Sequence, residues 1–411
     1  MTIQNGVFAS EPLAEEAHYA ALSARFQPVF DRIAEGAVAR ERARTLPHEP
    51  LSWLKEAGFT RLRVPARFGG EGASITLQAR LLIDLAAADS NIPQALRSHV
   101  SMVEDNLNRP EAEAAPWFER FAKGETFGSA WTETGNQRGE VRTVVSRDGA
   151  GGWLLSGRKF YSTGTIFADW IDVFCRDSQS GEDMIALVPA TAHGVTREDD
   201  WNGFGQSLTG SGTTRFEAVA LPAGLVLPFR ARFAYQTAFY QLILNITQAG
   251  IARAVLRDGA EEVRRRRRGF SHSTADLPAG DPQIQQVIGT LSVTAFAVEA
   301  AVLASARSLD QAAAGLGSSE AEALIARAEL DAARAQVLAS QSVPAAATAL
   351  FDALGASAAD RDGALDRHWR NSRTIAQHNP ALLKARVIGD HAINGTAPVM
   401  LWQVGEAPAR T

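Results

Sequence analysis

The sequence predicts an α+β chain in three consecutive parts: an N-terminal α-helical domain over residues 1–124, a central β-domain (a barrel or sandwich) over 125–229, and a C-terminal four-helix bundle over 230–411. Three observations carry that expectation. Ala-rich, charged segments with helical spacing fill both ends of the chain. Between Glu125 and about Val226 Gly, Ser, Thr and β-branched residues rise, and period-two runs appear: WLLSGRKFYS, WIDVFCR, DMIALVPA and TTRFEAVALP. After Arg230 long Ala-rich stretches such as AEALIARAELDAARAQVLAS return, as expected of closely packed antiparallel helices.

From the N-terminal side, Glu11 to Arg44 reads as a helix with Phe26, Phe30 and Ile33 on one face. LPHEPLSWLKEAGF is a turn followed by a short helix stopped by Gly58. A Pro and Gly cluster follows, then a helix from Ser74, its N-cap, to about Asp89. FGGEG lacks the GxGxxG spacing of a dinucleotide loop. SNIPQALRSHVSMVEDNL predicts another helix, which carries His99; a lone helical His is more often packed or solvated than catalytic. Beyond the β-domain, helices are expected over Phe239–Arg268, Pro282–Ser308, Glu320–Phe351 and Asp366–His378.

Composition excludes several classes. Hydrophobic residues make up 45% and charged residues 21%, an ordinary globular balance. A net charge of −5 gives no attraction to nucleic acid or anionic membrane. The run EEVRRRRRGF fits a helix C-terminus, where the macrodipole favours cations and a phosphate can be held. One cysteine, Cys175, precludes an intramolecular disulfide and suits a reducing compartment. No apolar run approaches the roughly 20 residues that span a bilayer, and MTIQNGVFASEPLAEE lacks a secretory pattern, so a cytoplasmic location is expected.

Candidate ligand-binding residues concentrate between Phe127 and Thr165, where FGSAWTETGNQ and WLLSGRKFYSTGT are joined by a strand-like passage with Val141, Thr143 and Val145 alternating. Small residues there, Ser129 among them, allow a flat ligand close to the backbone. Hydroxyls at Thr132, Ser162 and Thr163 can bond its polar edge, and Trp131 and Tyr161 offer aromatic walls. DDWNGFGQSLTGSGT adds Trp201 to the same rim. A ligand-free polar hairpin and a structural turn around a tryptophan are the alternatives.

AWTE ahead of GRKFYSTG, between helical halves, resembles the acyl-CoA dehydrogenase superfamily over essentially the whole chain. The resemblance implies that Thr132 bonds the pyrimidine edge of a flavin, that Tyr161 and Thr163 flank its N5 side, and that Arg267 of RRGF reaches a flavin phosphate across a subunit boundary in a homotetramer. Two departures choose the branch. Counting nine residues from Arg370, the dehydrogenase glutamate falls at Asn379, beside His378, and an amide cannot act as that base. The glycine-rich cradle for the ADP half of FAD becomes Asp352, Gly355, Ala356 and Ala358, which favours FMN over FAD.

RNSRTIAQHNP, VIGDHAINGTAP, DDWNGFGQ and the SHV segment are similar to the dibenzothiophene monooxygenase and sulfur-acquisition oxidoreductase branch. That resemblance implies an FMNH2-dependent monooxygenase. Reduced FMN would come from a separate NAD(P)H:flavin reductase, and a flavin C4a-hydroperoxide would oxygenate a small organosulfur compound. His378 and His99 would be its active-site histidines, with Thr163 and Ser129 beside the flavin. An acyl-CoA dehydrogenase, a nitroalkane oxidase and an N-hydroxylating enzyme are the alternatives.

Overall fold

The computed structural model describes residues 12–400, so the outermost parts of the expected end domains lie outside the described residues. Helix α1 (Pro12–Ala43) buries Phe26, Phe30 and Ile33, as its spacing predicts, with Phe59 edge-on to both phenyl rings at 5.1 and 5.5 Å. Helix α2 (His48–Ala57) ends at Gly58, whose φ of 84° is readily adopted only by glycine. Helix α3 (Ile75–Ala88) begins where Ser74 Oγ accepts the Leu77 N–H at 2.9 Å. Helix α4 (Asn91–Leu107) is buried along its whole length, and α5 (Glu111–Ala122) closes this part.

The eight strands among the described residues belong to one hydrogen-bonded sheet: β1 (Phe127–Ala130), β2 (Val144–Arg147), β3 (Trp153–Lys159), β4 (Trp170–Asp177), β5 (Asp183–Pro189), β6 (Val195–Arg197), β7 (Thr214–Leu221) and β8 (Val226–Pro228). The order is β6-β7-β3-β2-β4-β5-β8, and β1 also pairs with β4. Strands β1 and β2 lie one after the other, both parallel, along one edge of β4: Phe127–Ala130 match Trp170–Val173, then Val144 and Val145 match Arg176 and Asp177.

The chain between them departs from the expected strand-like passage. Residues 131–143 form a loop because Glu133 supplies acceptors that a neighbouring strand would otherwise supply. Its carboxylate takes the backbone N–H groups of Arg142 and Thr143 at 2.8 and 3.0 Å and pairs with Lys159 Nζ at 2.6 Å. Burial alone would raise the Glu133 carboxyl, but the hydrogen bond and charge of Lys159 outweigh it and hold the pKa down at about 2.

The C-terminal helices are α6 (Gln236–Arg265), α7 (Pro282–Ala314), α8 (Ala321–Ala349), α9 (Asp366–Ala376) and α10 (Ala381–Asn394). Three parts along the sequence do not make three cores. Leu22, Phe26, Leu81 and Leu85 join Phe239, Ile246, Val298, Val302 and Ala339 in one continuous cluster, so both helical ends share a core. The sheet has its own, around Val145, Leu155, Val173 and Val219. A third cluster, with Phe118, Phe121 and Phe127, joins α4 and α5 to the sheet.

Contrary to the composition reading, α7 is long and apolar enough to cross a membrane, with a mean hydropathy of 1.9 in its best window. Here it is a bundle helix: Val298 and Val302 are buried, and Glu299 accepts both ends of the Arg253 guanidinium.

Candidate active site

The 160–164 turn is built to present side chains. Tyr161 sits at a φ of 62°, uncommon for a non-glycine residue, and leaves its ring 46% exposed. The Thr163 N–H donates to the Tyr161 carbonyl at 2.8 Å, and the Thr163 carbonyl accepts the Ser129 N–H at 3.0 Å. These bonds tie the turn to the end of β1. A Cβ on Gly164 would stand 2.2 Å from the Ala95 carbonyl oxygen, so α4 docks directly against it. Thr163 Oγ1 lies 2.8 Å from Ser211 Oγ, and Ser162 Oγ is buried with no protein partner.

Trp201 meets Tyr161 edge-on at 5.7 Å and donates its indole N–H to the Gln206 carbonyl at 3.1 Å. The Gln206 N–H in turn donates to Asn371 of α9 at 2.6 Å, which couples this loop to the segment leading to His378. Trp131 is a fixed wall. Its indole N–H donates to Asp172 at 3.0 Å, and its ring packs on Tyr240 at 5.4 Å and Phe229 at 5.6 Å. The Thr132 side chain is exposed, while its carbonyl accepts the Phe160 N–H at 3.0 Å.

Where a dehydrogenase would place its base, amides interlock. Asn379 Nδ2 donates to Gln241 Oε1 at 2.8 Å, Gln241 Nε2 donates to Asn245 Oδ1 at 2.9 Å, and Gln336 Nε2 donates to the Asn379 carbonyl at 2.8 Å. His378, next in sequence, keeps part of its surface exposed although protein surrounds its ring. Desolvation first, then the positive charge of Arg97, pushes its pKa down to about 3, so the imidazole is neutral at physiological pH.

Arg97 projects from α4 with its guanidinium over the Tyr240 ring, 5.8 Å from the centroid. The Tyr240 hydroxyl accepts from Arg232 Nη2 at 3.3 Å, and burial raises its pKa above the ordinary phenol value. Sequence reasoning missed Arg97 and Tyr240. The available signal was a lone basic residue in a helix of apolar, neutral polar and acidic side chains, two residues from a histidine already under consideration.

Two expected site residues do not join this group. His99 lies two residues after Arg97, roughly 200° round the helix. Its ring nitrogen Nε2 is 2.6 Å from the Thr60 carbonyl, its ring is edge-on to Phe121 at 5.4 Å, and burial lowers its pKa to about 4. The resemblance placed it in the active site; its position is a packed one.

Arg267, just past α6, is exposed and has no hydrogen bond or ion pair among the described residues. Helix α6 separates it from Tyr240 by about 40 Å at 1.5 Å per residue, farther than one FMN can reach. Both ends of α6 therefore cannot hold the same flavin. The exposed Tyr161 and half-buried Trp201, the unpartnered Ser162 hydroxyl and the free Arg267 fit a flavin ring and a phosphate, in two separate places.

Comparison with known proteins matches residues 21–125 to the acyl-CoA dehydrogenase N-terminal domain and residues 242–381 to the acyl-CoA dehydrogenase C-terminal domain. The chain is 29% identical to the probable FMNH2-dependent monooxygenase SfnC of Pseudomonas putida, over 89% of this chain and 93% of that protein. It is 25% identical to dibenzothiophene monooxygenase of Mycolicibacterium goodii, over 88% and 91%. The structure of methanesulfinate monooxygenase MsuC from Pseudomonas fluorescens superposes with a TM-score of 0.83 at 27% identity, covering 95% of this chain and 99% of that one.

Proposed function

This chain belongs to the acyl-CoA dehydrogenase superfamily, and we propose that within it the protein is an FMNH2-dependent monooxygenase of an organosulfur compound. One observation carries the reading: the position of the dehydrogenase base is Asn379, locked among amides, with a neutral His378 next to it. Such a site cannot take an α-proton with a carboxylate. The names of the relatives agree, since SfnC is called FMNH2-dependent and the others act on dibenzothiophene and methanesulfinate.

When bound, reduced FMN supplies two electrons for splitting O2; the net change is sulfur compound plus O2 plus FMNH2 to the S-oxygenated compound plus FMN plus water. The residues of the chain do the rest. Tyr161 and Trp201 form one rim for the flavin ring, and Ser129, Thr132 and Thr163 bond its polar edge. His378 offers a neutral hydrogen-bonding group, which adds no repelling charge beside an oxygen carrying a proton.

FMN is favoured over FAD by the 352–358 segment. Its Ala353 carbonyl accepts from Arg266 Nη1 at 3.2 Å, and Arg266 fills the space beside Gly355, where a Cβ would come 2.7 Å from its Nη2. Arg267 then serves the phosphate of a flavin in a neighbouring copy, and the exposed stripe of α7, with Val293 67% and Phe296 78% accessible, supports a homotetramer. A separate NAD(P)H:flavin reductase provides FMNH2. The buried free thiol of Cys175 suits a cytoplasmic enzyme.

The test mixes the protein anaerobically with photoreduced FMN and a panel of sulfides, sulfones and sulfinates, then admits O2. Oxygenated product in proportion to O2 consumed is the expected result. Reduction of an artificial acceptor by acyl-CoA without O2, and no sulfur product, would overturn the reading.

A further inference from the structure

Six cationic side chains are buried among the described residues: Arg63, Arg97, Arg109, Lys159, Arg232 and Lys384. Five have a carboxylate within 3.2 Å: Glu104, Asp105, Glu133, Asp172 and Glu329 in turn. Arg97, 8% exposed, has no ion pair among the described residues, and its Nε has no hydrogen-bond partner. A buried charge is tolerated where an opposite charge answers it. Around Arg97 the chain supplies the Tyr240 ring and the neutral His378 imidazole, and no carboxylate acts on it.

One further unsatisfied group lies on its side of α4: Gln94 Oε1, three positions before Arg97, is buried without a partner. Ser98 Oγ is also buried without a partner but is turned about 100° away. Arg97 thus presents a planar fork of donors that no carboxylate of the described residues answers.

We infer that Arg97 receives the charged head group of the substrate, and that this substrate is a small alkanesulfinate. The inference rests on the sulfur-oxygenating reading and narrows it. Two sulfinate oxygens match the two N–H directions of a guanidinium edge, leaving the sulfur lone pair free. The conversion balances: alkanesulfinate plus O2 plus FMNH2 gives alkanesulfonate plus FMN plus water. Sulfur gains one oxygen and loses two electrons, and the two hydrogens of FMNH2 leave in the water. Arg97 takes no part in that bond change; it selects the anion and holds it beside His378.

Turnover-free binding tests the idea separately from oxygenase activity. Methanesulfonate, the unreactive oxygenated analogue, and dimethyl sulfone, a neutral molecule of similar size, are titrated calorimetrically into the protein at constant ionic strength, with and without FMN. Wild type should prefer methanesulfonate. Arg97→Gln should lose roughly 10- to 100-fold of that affinity, the usual worth of a charge-assisted hydrogen bond, while dimethyl sulfone changes less than about threefold. Arg97→Lys should recover part of the loss.

Equal binding of methanesulfonate to wild type and Arg97→Gln would overturn the proposal. So would a loss confined to FMN affinity, which would assign Arg97 to the flavin. Should Arg97→Gln not fold, wild type decides: a preference for dimethyl sulfone over methanesulfonate refutes the assignment. A failure here with intact sulfide oxygenation would leave the monooxygenase reading standing.

Discussion

Replacing His378 with Phe should leave FMN affinity within about tenfold, or ~1.4 kcal/mol, and cut product formed per O2 consumed by roughly 100-fold, as for loss of a positioned hydrogen-bonding group. Unchanged coupling in that ratio would remove His378 from the chemistry. His99 makes a different prediction. Its folded pKa of about 4 lies below the ordinary 6.5 because it is buried. As pH falls from 6.5 the unfolded chain takes up a proton that the folded chain refuses, so stability falls between about pH 6.5 and 4 by about 3 kcal/mol for this residue. His99→Gln should flatten the pH dependence of urea unfolding in that window; an identical slope would refute it. The positions of Asn379 and His378 were legible because both follow from counting on from Arg370, through α9 and just past its end at Ala376. Arg97 was not. A helical arginine usually reaches solvent, and only the folded surroundings reveal that its counter-charge is absent.

Helices α1–α4 and α6–α9 were legible to within several residues because apolar spacing and caps such as Ser74 and Gly58 act locally, whereas α5 and α10 were not expected. The 131–143 loop was not: the alternation of Val141, Thr143 and Val145 looks like one strand, but only Val145 lies in β2, because Glu133 takes the backbone donors of Arg142 and Thr143. Glu133→Gln therefore does more than remove one charge. It strands Lys159, whose side chain is 1% exposed, without its carboxylate. A loss of about 3 kcal/mol is expected, the lower end for breaking a buried pair, together with faster amide exchange at Arg142 and Thr143. A urea midpoint equal to wild type would show that the loop is held by other contacts. The branch of β1 and β2 along one edge of β4 was equally unreadable, because strand order is set by long-range pairing that no local pattern records.

At the scale of the whole molecule, the proposed sharing of one flavin between two copies would link cofactor retention to assembly. With the ring site near Tyr240 and Arg267 about 40 Å away, Phe296→Asp on the exposed stripe of α7 should yield smaller species by light scattering and weaken FMN together with it. Undiminished FMN binding by a monomer would refute the shared site. The core shared by the first and last helices sets a timetable for biosynthesis. Leu81 and Leu85 leave the ribosome well before Phe239 and Val298, which cover them. At 5–20 residues per second they wait on the order of ten seconds or more with their apolar face uncovered. A chain stopped at residue 230 should therefore bind chaperones or precipitate, while the full-length chain does not; a soluble, cooperatively melting fragment would disprove this. The helical start of the chain is, on this account, a client of its own C-terminus.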